Sequence, residues 1–106
     1  MADLPKSIRV GYRDYTIEDW PVHKSSGEGK IGSCDRDNAV IKICTAYGPA
    51  QSAECLLHEV FHAAYYMGVL DPGDNEERTV SVLGNIMTQV WRDNPEFVAF
   101  MSESLT

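Results

Sequence analysis

The chain predicts an α+β domain with a small antiparallel sheet. Three observations carry that expectation. Apolar and polar residues alternate from Ile8 to Tyr12 and from Tyr15 to Ile17, as in half-buried strands, and a β-branched apolar run follows at Val40 to Ile43. From about Ala50 onward, apolar residues recur at helical spacing. Turn residues separate the runs, and the strands precede the helices, which is the order of an α+β fold.

The first strands come from Ile8, Val10 and Tyr12, then Tyr15 and Ile17, joined by a tight turn at Arg13-Asp14. Trp20-Pro21 ends this hairpin, because proline cannot donate to a sheet ladder. The stretch from His23 to Gly29 is polar and reads as a surface loop. Lys30 to Cys34 and Ala39 to Cys44 form a second pair around Asp35-Arg36-Asp37-Asn38. The second partner, Val40-Ile41-Lys42-Ile43, is β-branched and apolar, the strongest strand of the chain.

Tyr47-Gly48-Pro49 breaks the pattern, and a helix is expected from near Ala50 to Gly68. Its apolar face is Ala53, Leu56, Leu57, Val60, Phe61 and Ala64. Asp74 or Asn75 can cap a second helix, whose buried stripe is Val80, Leu83, Met87, Val90 and Trp91. Asn94 as cap and Pro95 at the first helical position start a short third helix with Phe97, Val98, Phe100, Met101 and Leu105.

Composition sets the bounds. A chain of 106 residues predicts one domain, 1–106, with a single modest core. No window approaches the roughly 18 apolar residues of a membrane span. The first residues show no charged-then-apolar leader pattern, so a cytoplasmic protein without membrane association is expected. Three cysteines with no C-x-x-C pair argue against a disulfide framework or a zinc ribbon. The net charge of −7 disfavours nucleic acid as a partner, since phosphates call for a cationic surface. Peptide or protein partners remain open.

The chemistry concentrates in His58-Glu59-Val60-Phe61-His62, an H-E-x-x-H on the first helix. Four residues make a little over one turn, so the two imidazoles point the same way and can share one zinc ion. Glu59, displaced by one residue, stays near that face and can reach a water at the metal as general base. A shuffled chain of this composition shows the pattern in roughly one case in two hundred. The apolar face opposite anchors the helix in a core and leaves the histidines looking elsewhere. Cys55, three residues before His58, is either a small buried residue or a neighbour of the metal.

Hydrolytic zinc takes three protein ligands and leaves one position open. Downstream of His62 there is no histidine, but Glu76 and Glu77 open the next helix. Glu77 is expected as third ligand, with Glu76 the alternative. Glu77 shares an edge with Ser81 and Gly84, small residues that suit a close approach of two helices, while Glu76 lines up with Val80. Both glutamates also favour a helix N-terminus electrostatically, whatever their function.

An H-E-x-x-H helix followed by a glutamate-bearing helix resembles the gluzincin metallopeptidases. The compact form is similar to the minigluzincins and the ImmA/IrrE-like peptidases, many of them phage- or mobile-element-encoded. The resemblance covers about half the chain: Ile31-Gly32, Val40 to Ile43, Cys55 to Ala63, Glu76 to Val80, and Trp91 to Glu96. It implies a twisted antiparallel sheet over the active-site helix and a substrate segment along the edge strand. It also implies His58 and His62 as ligands, Glu59 as base and Glu77 as third ligand. No partner domain of the kind larger members use to complete a cleft is expected within these 106 residues, and Tyr65 and Tyr66 are the nearby tyrosines. The expected activity is that of a zinc endopeptidase. The rival is a zinc-stabilised interaction module that cleaves nothing, or a phage-type regulator acting on one protein partner.

Overall fold

A computed structural model describes residues 3–22 and 31–106. The loop predicted from His23 to Gly29, and Lys30 at the predicted start of the third strand, lie outside the described residues. Strand β1 is Ser7–Val10 and β2 is Arg13–Asp19. Their inward residues, Ile8, Val10, Tyr15 and Ile17, are buried, as a period of two requires. The turn between them is Gly11-Tyr12, two residues earlier than expected. Gly11 sets it: its φ of 66° is open to glycine, and Tyr12 is left exposed.

Strand β3, Gly32–Asp35, and β4, Val40–Ile43, form the second antiparallel pair. The sheet order is β1-β2-β4-β3. β2 and β4 run parallel, with Thr16 opposite Val40 and Asp19 opposite Ile43. The sheet is therefore mixed, not antiparallel throughout. Alternation records which face a residue takes, not the direction of its neighbour strand. The chain between β2 and β4 is long enough for the crossover a parallel pair needs. β4 is central, and Ile41 and Ile43 are fully buried.

Helix α1 spans Pro49–Met67, α2 spans Glu76–Asp93 and α3 spans Pro95–Ser104. α1 packs Ala53, Leu56, Val60, Ala63 and Ala64 into the core. Phe61, expected inside, is 41% exposed. α2 lies further out than its periodicity suggests. Val90 is its one buried residue, while Val80 is 52% and Trp91 49% exposed. Its inward side is Leu83, Ile86 and Met87, partly buried against the core. Asn75 caps the helix, accepting from the Arg78 N–H at 2.8 Å. α3 contributes Phe97, Phe100 and Met101 to the same core.

Helices α1 and α2 approach closely at Gly68. A Cβ there would collide with Val82 Cγ1. Asn94, the expected cap of α3, uses its side chain otherwise. Oδ1 accepts from the Arg9 N–H at 2.7 Å, and Nδ2 donates to the carbonyls of Arg9 and Val90. Gln89 accepts from the Gly11 N–H at 2.7 Å. These amides occupy backbone groups on the outer edge of β1, where an unpaired strand would otherwise be exposed. No helix among the described residues is long and apolar enough to cross a membrane.

Candidate metal centre

Helical geometry carries His58 and His62 to the same side of α1. Their Nε2 atoms lie 3.2 Å apart, and the rings meet edge to face with centroids at 4.9 Å. Two nitrogens bound to one tetrahedral zinc at 2.0–2.1 Å would be separated by about 3.3 Å. The pair therefore fits two corners of such a site with its rings as they stand. Both residues are exposed, so a metal can reach them from solvent.

Glu59 is turned towards the sheet and is 6% exposed. It packs under Gly32 of β3, where a Cβ would come within 2.9 Å of Oε2. Glu59 and His58 line a trough of about 350 Å³ between α1 and β3, together with Gly32, Cys34, His62 and Tyr66. β3 ends the strand order, so one of its edges has no strand neighbour among the described residues.

Cys55 is buried, and its Sγ donates to the Ile31 carbonyl at 3.2 Å. Burial pushes its thiol up to about 11, and the Glu59 charge adds to the shift. Cys34 behaves alike: burial first, then Glu59, raise it to about 11. Both sulfurs are held as neutral thiols, so Cys55 serves as a small buried donor at the base of β3.

The predicted carboxylates stand apart. Among the described residues, no group of three or more His, Cys, Asp and Glu side chains is gathered as a metal site. Glu77 is exposed and accepts from the Ser81 hydroxyl at 3.2 Å. The small-residue edge that favoured it faces away from α1: a Cβ on Gly84 would meet nothing within 4 Å. The residue of α2 beside the histidines is Leu83, which lines a hollow of about 330 Å³ with His58, Phe61, His62 and Tyr65. Glu76 precedes Leu83 by seven residues, two turns less about 20°, and so shares its face of the helix. The expected preference for Glu77 over Glu76 assumed a helix register that α2 does not adopt.

Two residues join this site that the motif did not single out. Tyr66 stacks on His62, with centroids at 6.3 Å and planes at 23°. The Arg36 guanidinium lies 4.7 Å from the Tyr66 ring centroid. Tyr66 follows His62 by four residues, so its place was readable from the helix. Arg36 comes from the β3–β4 turn, and nothing in its neighbourhood along the chain points to α1.

Searches of protein-family models, curated proteins and solved structures returned no match to this chain.

Proposed function

We propose that the chain is a zinc-dependent metallopeptidase domain of the gluzincin type, in the compact form of the minigluzincin or ImmA/IrrE-like peptidases, and acts as an endopeptidase. The observation that carries this is the Nε2–Nε2 distance of 3.2 Å between His58 and His62, beside a buried Glu59. His58 and His62 would hold the ion, with Glu77 or Glu76, at the start of the next helix, to complete it. Zinc, when bound, supplies Lewis acidity towards a carbonyl and acidifies water.

The remaining steps belong to the chain. β3 offers backbone groups to an extended peptide lying in the trough, in the manner of an added strand. The Glu59 carboxylate takes a proton from water there and returns it to the departing amine. Its low exposure keeps that carboxylate against the sheet, close to where the peptide would lie.

A second reading, a zinc-stabilised interaction module that cleaves nothing or a phage-type regulator acting on one protein partner, draws support from the two-histidine set, to which no third ligand is joined among the described residues. One experiment separates the two. Wild type and Glu59→Gln are compared for zinc content and for cleavage of a peptide library. The peptidase predicts equal zinc in both proteins and cleavage by wild type alone. Zinc without cleavage in either protein selects the interaction module. Absence of zinc from protein purified without chelator, with no stabilisation on adding it, removes both.

A further inference from the structure

The chain is acidic, yet two of its arginines converge on one cavity. A hollow of about 330 Å³ is lined by Tyr12, Arg13, Tyr15, Arg36 and Tyr66. Arg13 begins β2, and Arg36 sits in the β3–β4 turn. Asp35 shapes that turn, accepting from the N–H groups of Asp37 and Asn38 and from the Asn38 amide. Arg13 then donates to the Asp37 carbonyl at 3.0 Å, tying the start of β2 to the turn. The two guanidiniums are thus brought together by two turns.

Both have donors left over. The Arg36 guanidinium lies over the Tyr66 ring, and among the described residues none of its N–H groups is hydrogen-bonded. Arg13 lies 5.7 Å from the centroid of Tyr15 and spends one amino group on Asp37. Among the described residues, neither arginine forms an ion pair; the carboxylates beside them, Asp35 and Asp14, are engaged by the turn and by Arg9. A pair of arginines on aromatic walls is suited to a carboxylate, which a guanidinium binds through two parallel hydrogen bonds.

The cavity shares Tyr66 with the trough at His58 and His62. Through that ring, Arg36 stands within ~11 Å of His62, or about three residues of extended chain. We propose that the Arg13–Arg36 pocket is a subsite for a carboxylate of the peptide in the trough. This rests on the peptidase reading and names its substrate class: peptides with an acidic side chain, or their own C-terminus, about three residues from the bond cleaved.

The test uses zinc-loaded Glu59→Gln protein and three hexapeptides followed by NMR. One is blocked at both ends and carries a single Glu. The second has Gln instead and a free C-terminal carboxylate. The third has Gln and blocked ends. One or both carboxylate peptides are expected to bind about tenfold more tightly than the neutral one, and to shift the amides of Arg13, Arg36 and Tyr66. The peptide that does so identifies the source of the carboxylate. Arg13→Gln/Arg36→Gln should abolish the preference, so that the variant binds the carboxylate peptides no more tightly than it binds the neutral one. Equal binding of all three peptides, or a preference that survives the double substitution, overturns the subsite. So do shifts confined to Arg13 and Arg36 with His58 and His62 unmoved, because the pocket would then be unconnected to the trough. Failure of the peptidase reading shows separately, as carboxylate selectivity with no cleavage of any peptide by wild type.

Discussion

Gly32 on the edge strand and Glu59 on α1 are in contact because residue 32 has no side chain. A Cβ there would lie 2.9 Å from Glu59 Oε2 and 2.5 Å from Cys55 Sγ, with the Lys42 carbonyl at 3.2 Å. Glu59 and Cys55 are buried, and the carbonyl belongs to β4, so nothing yields cheaply. Gly32→Ala is expected to destabilise the fold by about 1–3 kcal/mol, the usual cost of overpacking. Gly84, also a glycine within an element, meets nothing within 4 Å, and Gly84→Ala should stabilise α2 by about 0.5–1 kcal/mol. Urea unfolding of both variants checks the contrast; like signs would contradict it.

Asn94 holds β1 to the junction of α2 and α3 through two hydrogen bonds to Arg9, with a third to the Val90 carbonyl of α2. Alanine at this position would strand the Arg9 N–H in a part-buried setting and leave the Arg9 carbonyl to the Gln89 amide alone. A loss of about 2–3 kcal/mol is expected for Asn94→Ala. Aspartate keeps the acceptor but not the donor, so Asn94→Asp should also be destabilising. Chemical denaturation of the two variants decides this; a loss of a few tenths from either would mean that water replaces the amide.

Zinc titrations test the metal centre directly. His58→Ala and His62→Ala should each reduce affinity by at least two orders of magnitude, since each removes one of two facing donors. Of the glutamates, Glu76 shares the Leu83 face that borders the histidines, whereas Glu77 bonds Ser81 on the outer edge. Glu76→Ala is therefore expected to weaken zinc binding more than Glu77→Ala. Small and equal effects would assign the remaining ligand to neither residue.

Stability should fall in alkali. Cys34 and Cys55 are raised from the ordinary 9.0 to about 11, chiefly by burial, and buried Tyr15 is raised as well. In the unfolded chain the thiols lose their protons near 9, while the folded protein still holds them. The unfolded state then binds fewer protons, so the stability contributed by the neutral thiols is complete below 9.0 and is lost as pH climbs towards about 11. Urea midpoints measured from neutral pH upward should decline through this window, and less steeply in Cys34→Ala. A midpoint that stays level there would show that the thiols ionise alike in both states.

Much of this protein is local in origin. The alternation of Ile8, Val10, Tyr15 and Ile17 is a matter of strand period, and their burial follows from it. The facing of His58 and His62 is a matter of helical rise and turn, which their spacing already contains. What needed the tertiary structure is whatever joins residues far apart in the chain.

The parallel pairing of β2 with β4 is one such fact, since alternation is blind to strand direction. The rotation of α2 is another. Val80 and Trp91 had the spacing of a buried stripe, but the crossing at Gly68 turned Val82 and Ile86 towards α1 instead. That rotation puts Glu76, rather than Glu77, on the helix face of Leu83. The meeting of Arg36 with Tyr66 came from a turn folded over a helix 30 residues away. By itself, then, the sequence determined the elements, the inner faces of β1 and β2 and the histidine pair, because periodicity is written within a few residues. Only packing decided which faces met, because that depends on side-chain volumes at contacts distant in the chain.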